Sequence, residues 1–430
     1  MNFKFIQEAR KKETNDIMSD FRKNISLKFR KNKIDGKLKE MPLNIEKYIL
    51  KTNRFGGTLK KYPEDFIVEE IMPDGTVLEV GKEIDFLDET PWNGSFIHFT
   101  LEKRNWNTMD ALSAIVRATK TKRKNFGFAG TKDKFAVTTQ RMGCFGLKKE
   151  QLESVKIPEI IIKDIQKSNK KLRMGDLFGN RFTINIRDIE KKYMELENLS
   201  DLKLDHVLNY FGIQRFGLKR PITHIVGKFI YERDFESAFY TYCGTPISET
   251  GDEKEARELV DSGNFKGALK LFSKGNEYEK RLIQQYFKYK DFKMAFTALP
   301  PQLNSMFVNA YQAYLFNEMV NERYNFGFEP LTGDILEDNI PTGALIGYNT
   351  EFGKGIQGEI EKEIFNRENI DLKKFKIEDF GNFYGTRRKL ITPVYDFKSE
   401  FKEKVLTLSF KLERGNYATI VTREFTGNLG

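Results

Sequence analysis

Cysteine and histidine are scarce in this chain, and each shortage closes a route to function. Two cysteines, Cys144 and Cys243, cannot build a disulfide framework or a four-cysteine zinc site. Their rarity over 430 residues suits a reducing cytosol, so a cytoplasmic location is expected. The three histidines, His98, His206 and His224, lie far apart without HExxH spacing, which removes the usual support for zinc hydrolysis and leaves no metal ligand set to name. Long apolar runs are missing as well. No stretch approaches the roughly 20 apolar residues of a membrane span, and the first thirty residues lack the apolar core of a signal peptide. Neither a phosphate-loop signature nor a GxSxG nucleophile elbow occurs.

What the chain does have is positive charge and aromatic surface. Its net charge is +10, and aromatic residues make up 13% of it, with 38 phenylalanines. Cations attract phosphate and aromatic faces stack on unpaired bases, so the combination points towards RNA. A lysine- and phenylalanine-rich genome would leave the same composition, so it carries no conclusion alone. At about 150 residues per domain, the length implies two or three domains.

Residues 1 to about 50 read as a basic, partly helical extension, either an RNA-contacting arm or a solvated tail. The compact protein is expected to begin near Gly56, with α+β texture up to about Gly217. Phe96 to Leu101 alternates like a strand, and Thr108 then looks like the N-cap of a helix whose Leu112, Ile115 and Val116 share one face. From about Glu253 to Glu322 the texture becomes helical. The longest helix carries Phe307, Tyr311, Tyr314, Leu315 and Met319 at helical spacing, which reads as core. Gly353, Gly355 and Gly358 spell a dinucleotide-binding pattern, but no strand leads directly into it, and Glu359, Glu361 and Glu363 would crowd a pyrophosphate. After Arg388 sheet texture returns: Leu406, Leu408, Phe410 and Leu412 alternate with Thr407, Ser409 and Lys411. An α+β pattern that brackets a helical stretch suggests one domain inserted into another.

The segment Phe128 to Met142, FAGTKDKFAVTTQRM, stands out by elimination. A small-residue turn presents Asp133 between Lys132 and Lys134 before the chain enters a strand, and the glycine and alanine leave room for a ligand to approach. By spacing alone an ordinary turn aspartate is the commoner reading.

Four further segments change that balance. Gly56 to Glu70 (GGTLKKYPEDFIVEE), Asn209 to Gly217 (NYFGIQRFG), Asn309 to Val320 (NAYQAYLFNEMV) and Glu413 to Phe425 (ERGNYATIVTREF), taken with the Asp133 segment and in this order, resemble the TruD family of pseudouridine synthases over most of residues 56 to 425. The resemblance implies an α+β catalytic domain with a mostly antiparallel central sheet, formed by residues 51–217 and 388–430, and a helix-rich inserted domain over residues 218–387. It also implies isomerisation of uridine to pseudouridine in tRNA, at position 13, by flipping the base and without a cofactor. By the same resemblance Asp133 would be the catalytic carboxylate and Lys60 its basic partner. Phe66, Asn209, Phe211 and Tyr417 would surround the target nucleotide, and Arg215 and Arg423 would meet phosphates or pair with surface carboxylates. Thr131, Lys132 and Gln140 would shape the loop. A catalytically silent RNA-binding protein of the same fold is the main alternative, yet it should lack the catalytic residue, and Asp133 is present.

Overall fold

The structure is a computed structural model that describes residues 30–51, 54–89, 91–92, 95–189 and 202–427. The chain divides into two compact units, Tyr48–Asn209 with Ile391–Gly430, and Met1–Lys47 with Tyr210–Leu390.

The first unit is built on an eight-stranded sheet. Its strands in chain order are β1 (Phe66–Ile71), β2 (Phe96–Arg104), β3 (Phe126–Phe128), β4 (Val137–Phe145), β5 (Ile160–Ser168) and β6 (Gly179–Ile186), followed by the late strands Tyr395–Lys402 and Val405–Glu413. Across the sheet they run Tyr395–Lys402, Val405–Glu413, β6, β1, β4, β2, β5, with β3 also on β4. The alternation seen in the sequence has its physical cause here. Leu406, Leu408, Phe410 and Leu412 are buried while the residues between them are half-exposed, and Phe410 stacks on Phe182 of β6 at 5.4 Å between ring centres. The opposite end of the sheet buries Phe99, Leu101 and Met142 with Leu112 and Ile115 of helix Thr108–Ala118.

One pairing in this sheet positions the site. β1 and β4 run parallel, with Ile67 opposite Val137, whereas every other ladder of the sheet is antiparallel. Parallel neighbours begin at the same end, so the turn before β1 and the loop before β4 come together although about seventy residues separate them.

The second unit is mainly helical. Helix Pro301–Arg323 runs through it with Phe307, Tyr311, Tyr314, Leu315 and Met319 all buried, as expected of a core helix. A three-stranded sheet of Leu336–Glu337, Ile340–Leu345 and Thr386–Lys389 accompanies it. The glycines of the apparent nucleotide motif serve close packing: a Cβ on Gly358 would lie 2.2 Å from the Gly353 carbonyl oxygen. Glu361 turns inward and accepts hydrogen bonds from the main-chain N–H groups of Ala344 and Gly353, at 3.1 and 2.7 Å.

Two boundaries differ from the sequence reading. Residues 30–40 form a helix, and Ile34 and Met41 are buried, so compact structure is present well before Gly56. The Met41 carbonyl accepts a 2.9 Å hydrogen bond from His224, and the Asn44 amide bonds Glu318, both within the helical unit. Residues 1–29 of the basic stretch lie outside the described residues. At the other junction the helical unit begins at Tyr210 rather than near Leu218, because Asn317 of the long helix grips the Phe211 peptide. Asn317 accepts from its N–H at 2.9 Å and donates to its carbonyl at 3.1 Å.

Candidate active site

The turn that enters β1 is set by a glycine and a buried carboxylate. Gly57 has φ +97°, and a Cβ there would lie 2.7 Å from Ile186 and 2.8 Å from the Arg187 carbonyl oxygen, so neither the conformation nor the space suits another residue. Asp65, fully buried, accepts hydrogen bonds from the Tyr62 N–H at 2.9 Å and from the Arg187 guanidinium at 2.8 Å. The tight turn that results holds Lys60 at φ +54°, a conformation that costs a non-glycine residue about 1 kcal/mol.

The loop before β4 is tethered just ahead of Asp133. The Gln140 amide donates to the Gly130 carbonyl at 2.9 Å, and the Thr108 hydroxyl donates to Gln140 and accepts from the Lys132 N–H, each at 2.9 Å. Lys132 is buried, and its ammonium meets Glu70 of β1 at 2.5 Å. Glu70 also accepts the Arg141 N–H at 2.9 Å, so the carboxylate ties β1, β4 and the loop together. Beneath the loop, the Lys103 ammonium donates to the Asp133 carbonyl at 2.8 Å and the Trp106 carbonyl at 2.6 Å.

These tethers leave the Asp133 side chain half-exposed, at 49%, and within 3.3 Å of the Lys60 ammonium. The same ammonium sits 4.0 Å above the centre of the Phe66 ring, which is buried. Asp133, Lys60 and Phe66 therefore form one contact chain at the shared starting end of β1 and β4. The arrangement offers a substrate an accessible carboxylate whose main chain is fixed, with a cation and an aromatic wall beside it.

The remaining candidates are held in other ways. Asn209 is buried just after strand β7 (His206–Leu208), which pairs with Ile391–Pro393. Thr392 of that pair hydrogen-bonds Asn416 at 3.1 Å, next to half-buried Tyr417 at the start of helix Ala418–Thr426. Phe211 and Arg215 belong to the helical unit. The Phe211 ring packs edge-on against Phe316 at 5.7 Å, and the Arg388 guanidinium lies 4.3 Å from its centre. Arg423 departs from the expected surface position. It is 1% exposed, and its guanidinium stacks on Tyr48 at 3.6 Å, so it is buried rather than at the surface. The expected Thr108 cap also moves by one residue: Asn107 caps the helix by accepting the Asp110 N–H at 2.7 Å, which leaves the Thr108 hydroxyl free for the loop. Lys103 and Glu70 were not singled out by the sequence. Only their place in a strand, on the inward side of an otherwise apolar pattern, could have marked them.

Among the described residues, no group of acidic, histidine or cysteine side chains could hold a metal ion, and no helix is long and apolar enough to cross a membrane. The sequence model for tRNA pseudouridine synthase D (TruD) matches residues 42–340 and 336–425. The chain belongs to the TruD family. A Methanococcus maripaludis protein named "Probable tRNA pseudouridine synthase D 2" is 78% identical over 389 residues, covering 90% of this chain and 100% of its own length. A Methanocaldococcus jannaschii protein, "Probable tRNA pseudouridine synthase D 1", is 57% identical over 389 residues, with 90% and 99% covered. A Methanosarcina mazei crystal structure assigned to tRNA pseudouridine synthase D superposes with a TM-score of 0.73 at 32% identity, covering 90% of this chain and 97% of that one. The TruD sheet unit thus carries Asp133 on a loop tethered by Gln140, Thr108, Glu70 and Lys103.

Proposed function

We propose that this TruD-family chain isomerises uridine to pseudouridine in tRNA, with Asp133 as the catalytic carboxylate, Lys60 as its basic partner and uridine 13 as the target. The reading rests above all on the 3.3 Å contact between Lys60 and the accessible Asp133 carboxylate. The N1–C1′ bond breaks, the detached uracil turns, and a C5–C1′ bond forms; C5 loses a proton and N1 gains one. Nothing is oxidised or reduced, and no group enters or leaves, so the balance calls for no cofactor. A carboxylate serves either by attacking the nucleotide or by removing a ribose proton, and both routes need it fixed and accessible.

The target base must leave its stack to reach Asp133, and the walls expected to receive it are aromatic. Phe66 backs the Lys60 ammonium, and Asn209, Phe211 and Tyr417 are assigned to the flipped nucleotide on the strength of the family motif. Arg215 is assigned to the RNA backbone. Arg423 is buried against Tyr48.

Transcripts test the target. Unmodified tRNA should gain one pseudouridine, at position 13, and the same transcript with cytidine at that position should gain none. Product at another uridine of the altered transcript would overturn the assignment of the site while leaving the reaction intact.

A further inference from the structure

Four lysines are buried among the described residues: Lys103, Lys132, Lys163 and Lys228. Three of them face a carboxylate, Lys132 with Glu70 at 2.5 Å, Lys163 with Glu102 at 2.7 Å and Lys228 with Glu368 at 2.6 Å. Lys103 is the exception. It is the most buried of the four, at 1% exposure, and its ammonium donates only to main-chain carbonyls, those of Trp106 and Asp133. A buried cation without a counter-ion is costly, and a neutral side chain would suit the site better if packing were the only demand. The carbonyl it grips belongs to the residue assigned to catalysis.

We propose that Lys103 is a positioning residue for Asp133, fixing the Asp133 peptide against the Trp106 turn and setting a positive charge beneath the catalytic carboxylate. The inference rests on the reading of Asp133 given above. Lys103 is well placed for this. It lies near the end of β2, between Thr138 of β4 and Ile160 of β5, so its stem is anchored in the sheet while its ammonium reaches the loop. Burial pushes the ammonium down to about 8; the charge of Asp133 opposes that shift and the charge of Lys132 adds to it, while the cross-strand neighbours Thr138 and Ile160 are uncharged. The proton that supports Asp133 is therefore lost at mildly alkaline pH, far below where a free lysine would lose it. After that loss the amine still has two N–H groups for two carbonyls, so the loop stays tethered while the charge disappears.

The experiment compares wild type, Asp133→Asn, Lys103→Met, Lys103→Arg and Lys163→Met, using unmodified tRNA transcript. It measures the single-turnover rate at saturating RNA, the Kd for RNA and the thermal midpoint. Lys103→Met should slow the chemical step by about 30-fold, the scale of a small misplacement of a reacting group, with Kd changed by less than about threefold. Lys103→Arg should recover part of the rate and move the alkaline fall in activity upward. Lys163→Met, which removes a buried cation of the ordinary paired kind, should lower the thermal midpoint and leave the rate of the folded enzyme alone. A Lys103→Met rate within about threefold of wild type would overturn the proposal, as would a loss that only tracks lost fold. Should Lys103→Met not fold, the wild-type profile decides: a saturated rate that stays flat from pH 7 to about 10 refutes the charge beneath Asp133. An inactive wild type or an active Asp133→Asn would instead refute the catalytic reading of Asp133.

Discussion

Buried charge is organised differently in the two units. In the helical unit Arg323 meets Asp334 at 2.7 Å with both side chains inaccessible, Arg257 meets Glu253 and Glu279 at 3.0 Å each, and Arg387 meets Glu361 at 2.6 Å. Each of these cations has its carboxylate, and the pairs with Asp334, Glu279 and Glu361 each join separate segments of the chain. In the sheet unit the pairs Lys132–Glu70 and Arg187–Asp65 lie behind the two loops that present Asp133 and Lys60, and Lys103 is buried beneath the Asp133 loop without a carboxylate in contact. Compensated buried charge fixes shape in both units. Among the buried lysines it is Lys103, beneath the loop where chemistry is assigned, that contacts no carboxylate.

The largest effect expected from disturbing this contrast is on the reaction itself. Asp133→Asn should reduce turnover by at least about 10³-fold while tRNA affinity stays within about tenfold, because phosphate contacts dominate binding. Filter binding beside single-turnover assays checks both, and joint loss of affinity and rate would make Asp133 a structural turn residue. Next come the paired charges. Arg323→Met leaves Asp334 buried alone and should cost about 3–5 kcal/mol in denaturant melts, with the rate of the folded enzyme unchanged. Lys132→Met should cost as much stability through Glu70 and, unlike its counterpart, slow turnover too. If both variants slow turnover equally, the contrast between the units fails.

Lys60→Met should lower the rate by about tenfold with little change in Kd, as for loss of one charged neighbour of the reacting group. The smallest effect is on stability and concerns pH. Between about 8 and the ordinary lysine value of 10.5, the unfolded chain holds a proton at Lys103 that the folded chain has released. The Lys103 contribution to stability therefore rises with pH across that window. The stability of wild type relative to Lys103→Met should improve by about 2 kcal/mol from pH 7.5 to 10, while wild-type turnover falls. Melts at the two pH values check it, and a relative stability that falls instead would reverse the sign of the argument.

Much of the architecture could be read from periodicity alone. Val405–Glu413 alternates because one of its faces is buried, and Pro301–Arg323 carries its aromatics at helical spacing. Asp133 could be named because a motif surrounds it. What stayed hidden depends on contacts distant in sequence. Asn107 and Thr108 are both good caps, and only the Gln140 and Lys132 partners decide between them. Arg423 looked like a surface cation because nothing local shows that Tyr48 covers it. The Phe211 boundary moved because Asn317, about a hundred residues later, holds its peptide. Lys103 was one lysine among many until the antiparallel pairing of β2 and β4 brought the Asp133 loop over it.

The most direct test of the account is to incubate wild type and Asp133→Asn with unmodified tRNA transcripts in the presence of a chelator and map pseudouridine at single-site resolution. Pseudouridine at position 13 with wild type, and none with Asp133→Asn although that protein still binds the transcript, is the predicted result. Equal product from both proteins would contradict the role of Asp133, and no product from either would contradict the assignment of a reaction to this chain.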